Sequence, residues 1–328
     1  MSNFLLLVSQ RKEDLEFAQS VAATAGLSSV KVANAKDAAV VMANESPAIV
    51  FVDTTNPVFF QEFEAAVHAK LGLFSEQVNP NRIHFISREA LGAVAQLIQS
   101  PLFGHFVQRT DLSPGPSGEV YGRLVQATLN DRAFSLSRLV KEGVKIQTIK
   151  IKESTQKVNA VEAVKKFLMA AKFPTRAATL IANAVDELLM NSIFDAPVDE
   201  MGKHIYSSTP RTTVLKLDGR NQVEMNLAFD GSYVAIMACD LFGSLNKQKL
   251  LTHISKMYTN DEYKLKASVA GAGIGLANVF RSGASFLFSC AAGDRTEVTV
   301  FFKRTDNFRE LKDQFQFIST QFYSESTS

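Results

Sequence analysis

The chain has 328 residues, 46% of them hydrophobic, which is long and apolar enough for two domains with separate cores. Its 35 basic and 33 acidic residues leave a formal charge of +2, which argues against binding to nucleic acids through a strong basic field. No apolar stretch approaches the ~20 residues of a membrane span, and the N-terminal MSNFLLLVSQ lacks the basic lead of a signal peptide. We therefore expect a cytoplasmic protein without a membrane segment.

Apolar runs of strand length alternate with helical patterns through about the first hundred residues. The predicted helices include Glu13–Ala25, Ala35–Asn44 and Glu62–Leu71, and the predicted strands are Phe4–Val8, Ser29–Val32, Ala48–Val52, Arg82–Ile86 and His105–Gln108. This alternation predicts a doubly wound parallel sheet in an N-terminal domain of residues 1-110. Ligands of such sheets bind at the carboxyl ends of the strands, and Asp53 lies at such an end.

The order of these elements resembles the receiver domain of bacterial response regulators. In that family an aspartate at the end of the third strand accepts a phosphoryl group, and Asp53 stands at the matching position. A hydroxyl residue after the fourth strand senses the phosphate in the same family, and Ser87 matches it. The resemblance therefore implies a signalling module of the two-component type.

Charged positions of the receiver pattern are altered in this chain. Ser9 and Gln10 stand where the family has two acidic residues that hold Mg²⁺, and Asp14 lies several residues later, within the predicted helix. Arg109 stands near the end of the fifth strand, where the family has a lysine. Without acidic ligands the metal loses the charged oxygens that support phosphoryl transfer. We therefore predict a pseudo-receiver used for docking or dimerisation, with Asp53 alternatively a turn residue at a strand end.

A linker follows the receiver-like domain. Thr110–Gly118 contains two prolines and two glycines, which predicts irregular structure throughout this segment. Apolar residues then recur at helical spacing in Glu119–Glu142. Residues 111-143 are therefore assigned to a linker and a connecting helix, which joins the domains, pairs two subunits or packs on its own chain.

The second half of the chain carries strand signals separated by helices. An alternating strand at Val144–Ile151 is followed by helical patterns over Val158–Ala171 and from Pro174 to about Ala196. Asp-Gly turns are predicted at Asp218 and Asp230, between further strands at Thr213–Leu217, Val223–Phe229, Tyr233–Cys239, Ala284–Ser289 and Glu297–Lys303. The sum is an α+β sandwich over residues 144-305, followed by a C-terminal helix and tail over 306-328.

The segment AVDELLMNSIFDAP carries the strongest chemical signal. Glu187 and Asn191 lie one helical turn apart, so both side chains project from one face of the predicted helix. The spacing predicts that the opposite face is buried against a sheet through Ala184, Leu188, Leu189 and Ile193. A carboxylate and an amide in register offer oxygen ligands to a phosphate-bound Mg²⁺.

Two further motifs follow in order. CDLFG, with Asp240 and Gly243, comes after an apolar strand, and GAGIGL runs from Gly271 to Leu276. The order and spacing of the three motifs resemble the GHKL, or Bergerat, ATP-binding domain, which DNA gyrases, sensor histidine kinases and mismatch-repair ATPases share. The resemblance implies that the chain binds ATP together with Mg²⁺.

The GHKL resemblance also assigns roles to residues. In that pattern the acid is a general base and the amide holds the metal, which makes Glu187 the catalytic residue and Asn191 the metal ligand. The pattern's aspartate accepts a hydrogen bond from the adenine amino group, and its threonine closes the adenine pocket. Asp195 departs from the pattern, because many relatives carry histidine, lysine or tyrosine at this position near the phosphates. A carboxylate there repels phosphate unless it helps to hold the metal. The cofactor-binding residues that the resemblance implies are Asn191, Asp195, Asp240, Gly243, Gly271, Gly273, Gly275, Leu276 and Thr296.

The class of GHKL protein is narrowed by the histidines. Sensor histidine kinases carry a phosphoacceptor histidine on a helix before the ATP domain, but His68, His84 and His105 all lie in the receiver-like part. The short approach to the Glu187 helix is instead similar to anti-sigma-factor serine kinases. The resemblance implies an ATP-binding signalling protein whose Mg-ATP occupancy controls its interaction with a protein partner, and a homodimer is left open. The alternative is a protein serine/threonine kinase or slow ATPase with Glu187 as its base.

Overall fold

The computed structural model describes residues 3–71, 78–109, 115–130, 133–259, 284–308, 310 and 315–323. The chain divides into two units, of which unit 1 comprises Met1–Ala133 and Phe315–Ser319, and unit 2 comprises Phe134–Gln314 and Thr320–Ser328. Each unit combines a sheet with helices, so the chain is a mixed α/β protein. Among the described residues, no helix has both the length and the apolar character needed to cross a bilayer.

Unit 1 contains a parallel sheet that is buried on both faces. Its strands are β1 (Phe4–Val8), β2 (Ser28–Val32), β3 (Ile49–Asp53), β4 (Ile83–Ser87) and β5 (His105–Gln108). They pair in the order β2-β1-β3-β4-β5, and all four pairings are parallel. Every residue of β1, β3 and β4 is buried, which explains why these strands read as almost unbroken apolar runs.

Helices cover the two faces of this sheet in pairs. They are α1 (Lys12–Ala25), α2 (Ala35–Glu45), α3 (Pro57–Leu71) and α4 (Gly115–Leu129). Helix α1 packs against α4, and α2 packs against α3. Neighbouring residues of a strand point to opposite faces, and on β4 the His84 ring contacts Tyr121 of α4 while the Phe85 ring contacts Phe60 of α3. The two helix pairs therefore lie on opposite faces of the sheet.

Helix α4 begins earlier than the sequence predicts, and it ends at Leu129 instead of continuing to Glu142. Irregular structure was expected throughout Thr110–Gly118, but the helix starts inside this segment. A Cβ atom on Gly118 would come within 2.4 Å of the Ser20 hydroxyl, and one on Gly122 within 2.5 Å of the Thr24 side chain. The two glycines lie one turn apart, so together they let α4 approach α1 closely. Local composition does not distinguish this packing role from that of a loop glycine.

Two stacked histidines lie in the core of unit 1. The rings of His84 and His105 are nearly parallel, with centroids 3.9 Å apart, and both side chains are buried. His84 Nδ1 lies 2.7 Å from the Tyr121 hydroxyl, and His105 Nε2 donates to the Asn81 carbonyl at 2.9 Å. Burial lowers the pKa of His84 well below its usual range, and the neighbouring His105 lowers it further. The native fold therefore holds His84 in its neutral form.

Unit 1 is accordingly expected to lose stability in weak acid. Below the ordinary histidine pKa of 6.5, the unfolded chain binds a proton at His84 that the native state excludes, so stability falls as the pH decreases. The slope from this residue should be about 1.4 kcal/mol per pH unit until the native pKa is reached. Denaturant titrations between about pH 7 and about pH 5 measure the slope, with the non-ionising His84→Phe variant as control. Identical slopes for wild type and variant would contradict the prediction.

Unit 2 contains an antiparallel sheet covered by helices. Its strands are β6 (Ile146–Ile151), β7 (Val223–Phe229), β8 (Tyr233–Asp240), β9 (Ser285–Ala291) and β10 (Arg295–Lys303), and its helices are α5 (Lys157–Ala170), α6 (Thr175–Met190) and α7 (Lys247–Thr259). The strands pair in the order β9-β10-β8-β7-β6. Helix α5 packs against α6, which contacts β8. Helix α6 therefore lies over the central strand of these five.

Of the two Asp-Gly hairpin turns predicted in unit 2, the one at Asp230 forms and the one at Asp218 does not. The turn at Asp230 joins β7 to β8 as an antiparallel hairpin, which confirms the prediction for that turn. The predicted strand Thr213–Leu217 makes only a single bridge, between Lys216 and Glu153. The Asp-Gly pair at Asp218 instead leads into a short 3₁₀ turn, because its upstream strand does not continue the sheet.

The C-terminal segment also differs from its prediction. A helix was expected within 306-328, but Gln316–Tyr323 is a strand, β11, and its first four residues pair with β5 in unit 1. Phe315 and Phe317 are both buried at the start of this strand. Their spacing of two residues fits one face of a strand, a pattern that a helical interpretation misassigns.

Candidate functional site

Helix α6 and the turn that follows it position the two side chains that the sequence predicts for the site, the carboxylate of Glu187 and the amide of Asn191. The buried face of the helix comprises Ala177, Ala178, Ile181, Ala182, Ala184, Val185, Leu188 and Leu189. At Asn191–Asp195 the helix widens into a π-helical turn, in which the Ala196 N–H donates to the Asn191 carbonyl at 2.9 Å. Such turns are frequent at functional sites. The π-helical turn therefore marks the end of α6 as a candidate functional site.

The Glu187 carboxylate is half-buried and available. Burial raises the pKa of Glu187, and Asp186 raises it further, while Lys157 and Arg211 oppose the shift. Asp186 is itself paired with the Lys157 ammonium. Within the described part of the chain, neither the Glu187 carboxylate nor the Asn191 amide has a hydrogen-bond or ion-pair partner. A carboxylate with a raised pKa suits a general base near neutral pH, and the free amide suits a ligand contact.

Asp195 is neutralised by an arginine that the sequence analysis missed. Nη2 of Arg211 donates to both carboxylate oxygens of Asp195, at 2.8 and 3.0 Å. The guanidinium also stacks on Phe194, with its carbon 4.9 Å from the ring centroid. His204 Nδ1 donates to the Asp195 carbonyl at 2.6 Å, since the chain from 197 to 205 folds back as a small hairpin. Residues 198–211 show no periodicity of apolar residues that would indicate a helix or a strand, so the sequence did not predict these contacts.

Asp240 ends strand β8 as a buried carboxylate. Thr296 lies opposite it on β10, and its hydroxyl donates to the Cys290 Sγ at 3.9 Å. The Phe242 N–H donates to Asp240 Oδ1 at 3.0 Å. Burial raises the pKa of Asp240 to about 6, and the nearby polar groups of Phe242, Gly243 and Thr296 oppose the rise. A carboxylate has about four acceptor positions, so Asp240 retains capacity for a ligand donor.

The loop that follows β8 is held on two sides within unit 2. Arg220 donates to the Leu241 carbonyl at 2.9 Å and to the Gly293 carbonyl at 2.6 Å. The Ser244 hydroxyl donates to the Ala196 carbonyl at 2.7 Å, and β8 itself packs against the π-helical turn. The loop and the π-helical turn are therefore neighbours, which brings the second sequence motif to the first.

Gly243 is expected to tolerate no side chain. Its φ is +58°, and an added Cβ would lie 1.9 Å from the Ala291 carbonyl oxygen. Gly243→Ala should cost about 2–5 kcal/mol in free energy of unfolding, because left-handed strain adds to a backbone clash. Gly219 is the matched control, since its φ is +55° and an added Cβ would meet nothing within 4 Å, and Gly219→Ala should cost about 1–2 kcal/mol. Chemical denaturation measures both, and equal losses would contradict the close approach at Gly243.

The glycine-rich motif falls outside the described residues. Gly271, Gly273, Gly275 and Leu276 were predicted to approach the phosphates, and their roles stay predictions. Of the other residues predicted for the site, the structure places Asp240 beside Thr296. It places Asn191 and Asp195 on one π-helical turn.

A second charged cluster lies in unit 1, at the carboxyl ends of its strands. Asp53 ends β3 as a buried residue and pairs with Arg11 at 3.2 Å. Asp14 on α1 and Arg109 after β5 form an ion pair in which both side chains are buried. The Ser87 hydroxyl accepts the backbone N–H two residues later at 3.0 Å. The predicted phosphoacceptor position is thus surrounded by ion pairs.

This cluster balances its own charge. Its two carboxylates, Asp14 and Asp53, face the guanidinium groups of Arg109 and Arg11, so no excess of negative charge remains to attract a dication. Burial raises the pKa of Asp14, and Arg109 opposes the rise. The donor set therefore does not fit the Mg²⁺ site of a working receiver. In the sequence, Ser9 and Gln10 at the positions of the family's two acidic residues already indicated the loss of this metal site. The buried Asp14–Arg109 ion pair was not predicted.

Comparison with known proteins adds little to this geometry. No family model matches the chain, and no curated protein is similar to it at a significant level. One solved structure with partial likeness is described as the crystal structure of the SiaB-SiaC complex from Pseudomonas aeruginosa. The match has 15% sequence identity and a TM-score of 0.30, and covers 47% of this chain and 88% of that chain. A likeness at this level carries no argument about the fold or the function of this chain.

Proposed function

We propose that unit 2 binds ATP with Mg²⁺ and that its occupancy regulates the interaction of this chain with a protein partner. The proposal is carried by one observation, the pair of free side chains Glu187 and Asn191 on a π-distorted helix end. Beside this helix end lies the loop that follows Asp240, a buried carboxylate with remaining acceptor capacity. Glu187 and Asn191 would recognise a metal-bound phosphate, and Asp240 would recognise a nucleobase that carries an amino group.

The donor set fits both proposed cofactors. Glu187, Asn191 and Asp195 offer carboxylate and amide oxygens, which are the ligand types that Mg²⁺ prefers in combination with substrate phosphates. When bound, the metal neutralises phosphate charge. Asp240 would accept a hydrogen bond from the adenine amino group and reject guanine, which presents a carbonyl there. Thr296 would lie beside the base.

A regulatory role is favoured by unit 1. Its strand order, β2-β1-β3-β4-β5, is a doubly wound order whose ligands bind at the carboxyl ends of β1 and β3. Asp14 and Arg109 fill that place with an internal ion pair. Unit 1 is therefore proposed as a pseudo-receiver that docks a protein partner or a second copy of the chain, while unit 2 supplies the nucleotide signal.

A catalytic alternative is favoured by the raised pKa of the unpaired Glu187 carboxylate. Glu187 would accept the proton of a serine or threonine hydroxyl on a partner protein, or of a water molecule. Asn191 would hold the phosphate-bound metal in position, and the chain would act as a protein serine/threonine kinase or slow ATPase.

Isothermal titration calorimetry with ATP, ADP and GTP, each with and without Mg²⁺, tests the nucleotide site. We expect ATP and ADP to bind more tightly with Mg²⁺, and GTP to bind at least about 100-fold more weakly than ATP. The isosteric Asp240→Asn variant keeps an acceptor for the Phe242 N–H, and should weaken ATP about tenfold by losing a charged acceptor. Equal affinity for ATP and GTP would contradict adenine recognition, and absence of ATP binding would remove the proposal.

A further inference from the structure

Arg211 presents only part of its guanidinium to Asp195. Nη2 serves both Asp195 oxygens, whereas Nη1 is buried and has no acceptor among the described residues. An arginine binds a phosphate best through two parallel N–H groups. The present contact therefore leaves one arm of the guanidinium unsatisfied, although the group lies beside the π-helical turn that carries Asn191.

Most of the charged side chains around this turn are acidic, so the binding of a polyanion there depends on the positive charge of Arg211. Glu187, Asp186 and Asp195 are acidic, and Lys157 is already paired with Asp186. The Arg211 and Asp195 side chains are each about one-third exposed, at 32% and 33%, so a ligand from solvent can reach the pair. An ion pair at this exposure contributes little to the stability of the fold. It can therefore exchange partners at small cost.

Building on the proposed nucleotide site, we infer that Asp195 is an internal competitor for the phosphate tail on Arg211. The tail displaces Asp195 from Nη2, and rotation of the guanidinium brings the buried Nη1 onto the same tail. The released Asp195 carboxylate joins Asn191 as an oxygen ligand of the Mg²⁺ that the tail carries. Without the metal, the released carboxylate faces the phosphates and repels them. The exchange therefore makes the affinity for a polyphosphate depend on Mg²⁺ through Asp195.

Tripolyphosphate is the probe that tests this exchange without the adenine pocket. Calorimetry would compare the full-length wild type with Asp195→Asn and Arg211→Lys, each in EDTA and in Mg²⁺. Glu200→Gln is the matched control, because it removes an exposed acid from the neighbouring hairpin. We expect Asp195→Asn to bind about tenfold more tightly than wild type in EDTA, and to gain about tenfold less from Mg²⁺. Arg211→Lys should lose about tenfold under both conditions, because lysine lacks the second arm.

The outcomes separate this inference from the nucleotide proposal. Wild-type behaviour of Asp195→Asn in EDTA would overturn the competitor role, even if wild type binds ATP in preference to GTP. ATP binding without any tripolyphosphate binding would likewise remove the exchange and leave the adenine site. Absence of both would remove both proposals. Melting temperatures verify folding, and Asp195→Ser replaces Asp195→Asn if the latter does not fold.

Discussion

Replacing Arg109 with methionine is expected to lower the free energy of unfolding of unit 1 by about 3–5 kcal/mol. The substitution removes the guanidinium that pairs with Asp14, and both side chains are buried, with 2% and 0% exposure. The Asp14 carboxylate would then be left in the core without a counter-ion, or would have to take up a proton. Chemical denaturation of the full chain measures the loss, and hydrogen exchange assigns the transition to unit 1.

The double variant Asp14→Leu/Arg109→Met separates the cost of an orphaned charge from the value of the pair. Desolvation raises the pKa of Asp14 and lowers that of Arg109, so burial outweighs their mutual attraction. The guanidinium N–H groups also find no acceptor of good hydrogen-bond geometry among the described residues. A pair with this little compensation contributes little net stability, so the double variant should recover most of the loss.

A surface comparison completes this experiment. Arg11 pairs with Asp53 at 3.2 Å but is one-third exposed, at 33%. Arg11→Met should therefore cost less than about 1 kcal/mol. If Arg109→Met costs no more than Arg11→Met, the buried pair is not what holds this end of the sheet together. In that case the charge argument against a metal at Asp53 also weakens.

Local sequence pattern was sufficient where burial is uniform along an element. The predicted strands Phe4–Val8, Ala48–Val52 and Arg82–Ile86 agree with β1, β3 and β4 to within one residue at each end. These strands are covered on both faces, so nearly every side chain is apolar and the run ends where the burial ends. Helix α6 was equally clear, because its apolar residues recur at helical spacing on one face.

Pattern failed where a contact joins distant parts of the chain. The pairs Asp14–Arg109 and Asp195–Arg211 decide the charge of the two clusters, and nothing in the local sequence says which charged residues will meet. The π-helical turn at Asn191 is also invisible in the sequence, since it depends on a hydrogen bond over five residues instead of four. Helical spacing therefore placed Glu187 and Asn191 on one face but could not describe how the helix ends.

Residues with two structural uses caused the remaining errors. Gly118 reads as a loop residue, but it lies where α4 touches α1. Phe317 fits a helical pattern as well as a strand, and only its pairing with Val107 of β5 decides between them. Tertiary contact overrides local preference in both places.

Glu187→Gln is expected to lower any phosphate release or phosphoryl transfer by about 10²–10⁴-fold, while ATP affinity changes by less than about threefold. The amide keeps the shape of the side chain but cannot accept a proton, and the wild-type carboxylate has no other partner among the described residues. Phosphate release and phosphorylation of added partner proteins measure the first quantity, and calorimetry with Mg-ATP measures the second.

Two further variants decide what a loss in Glu187→Gln means. Asn191→Ala removes the proposed metal ligand and should weaken Mg-ATP by about 10–100-fold, because metal ligands act through binding. Thr179→Ala is the control on the same helix, since the Thr179 side chain is exposed and its loss should affect turnover little. Undiminished phosphate release by Glu187→Gln would remove the catalytic alternative. Wild type that binds Mg-ATP without releasing phosphate would leave regulation by occupancy, because the same pocket then acts through its bound and empty states alone.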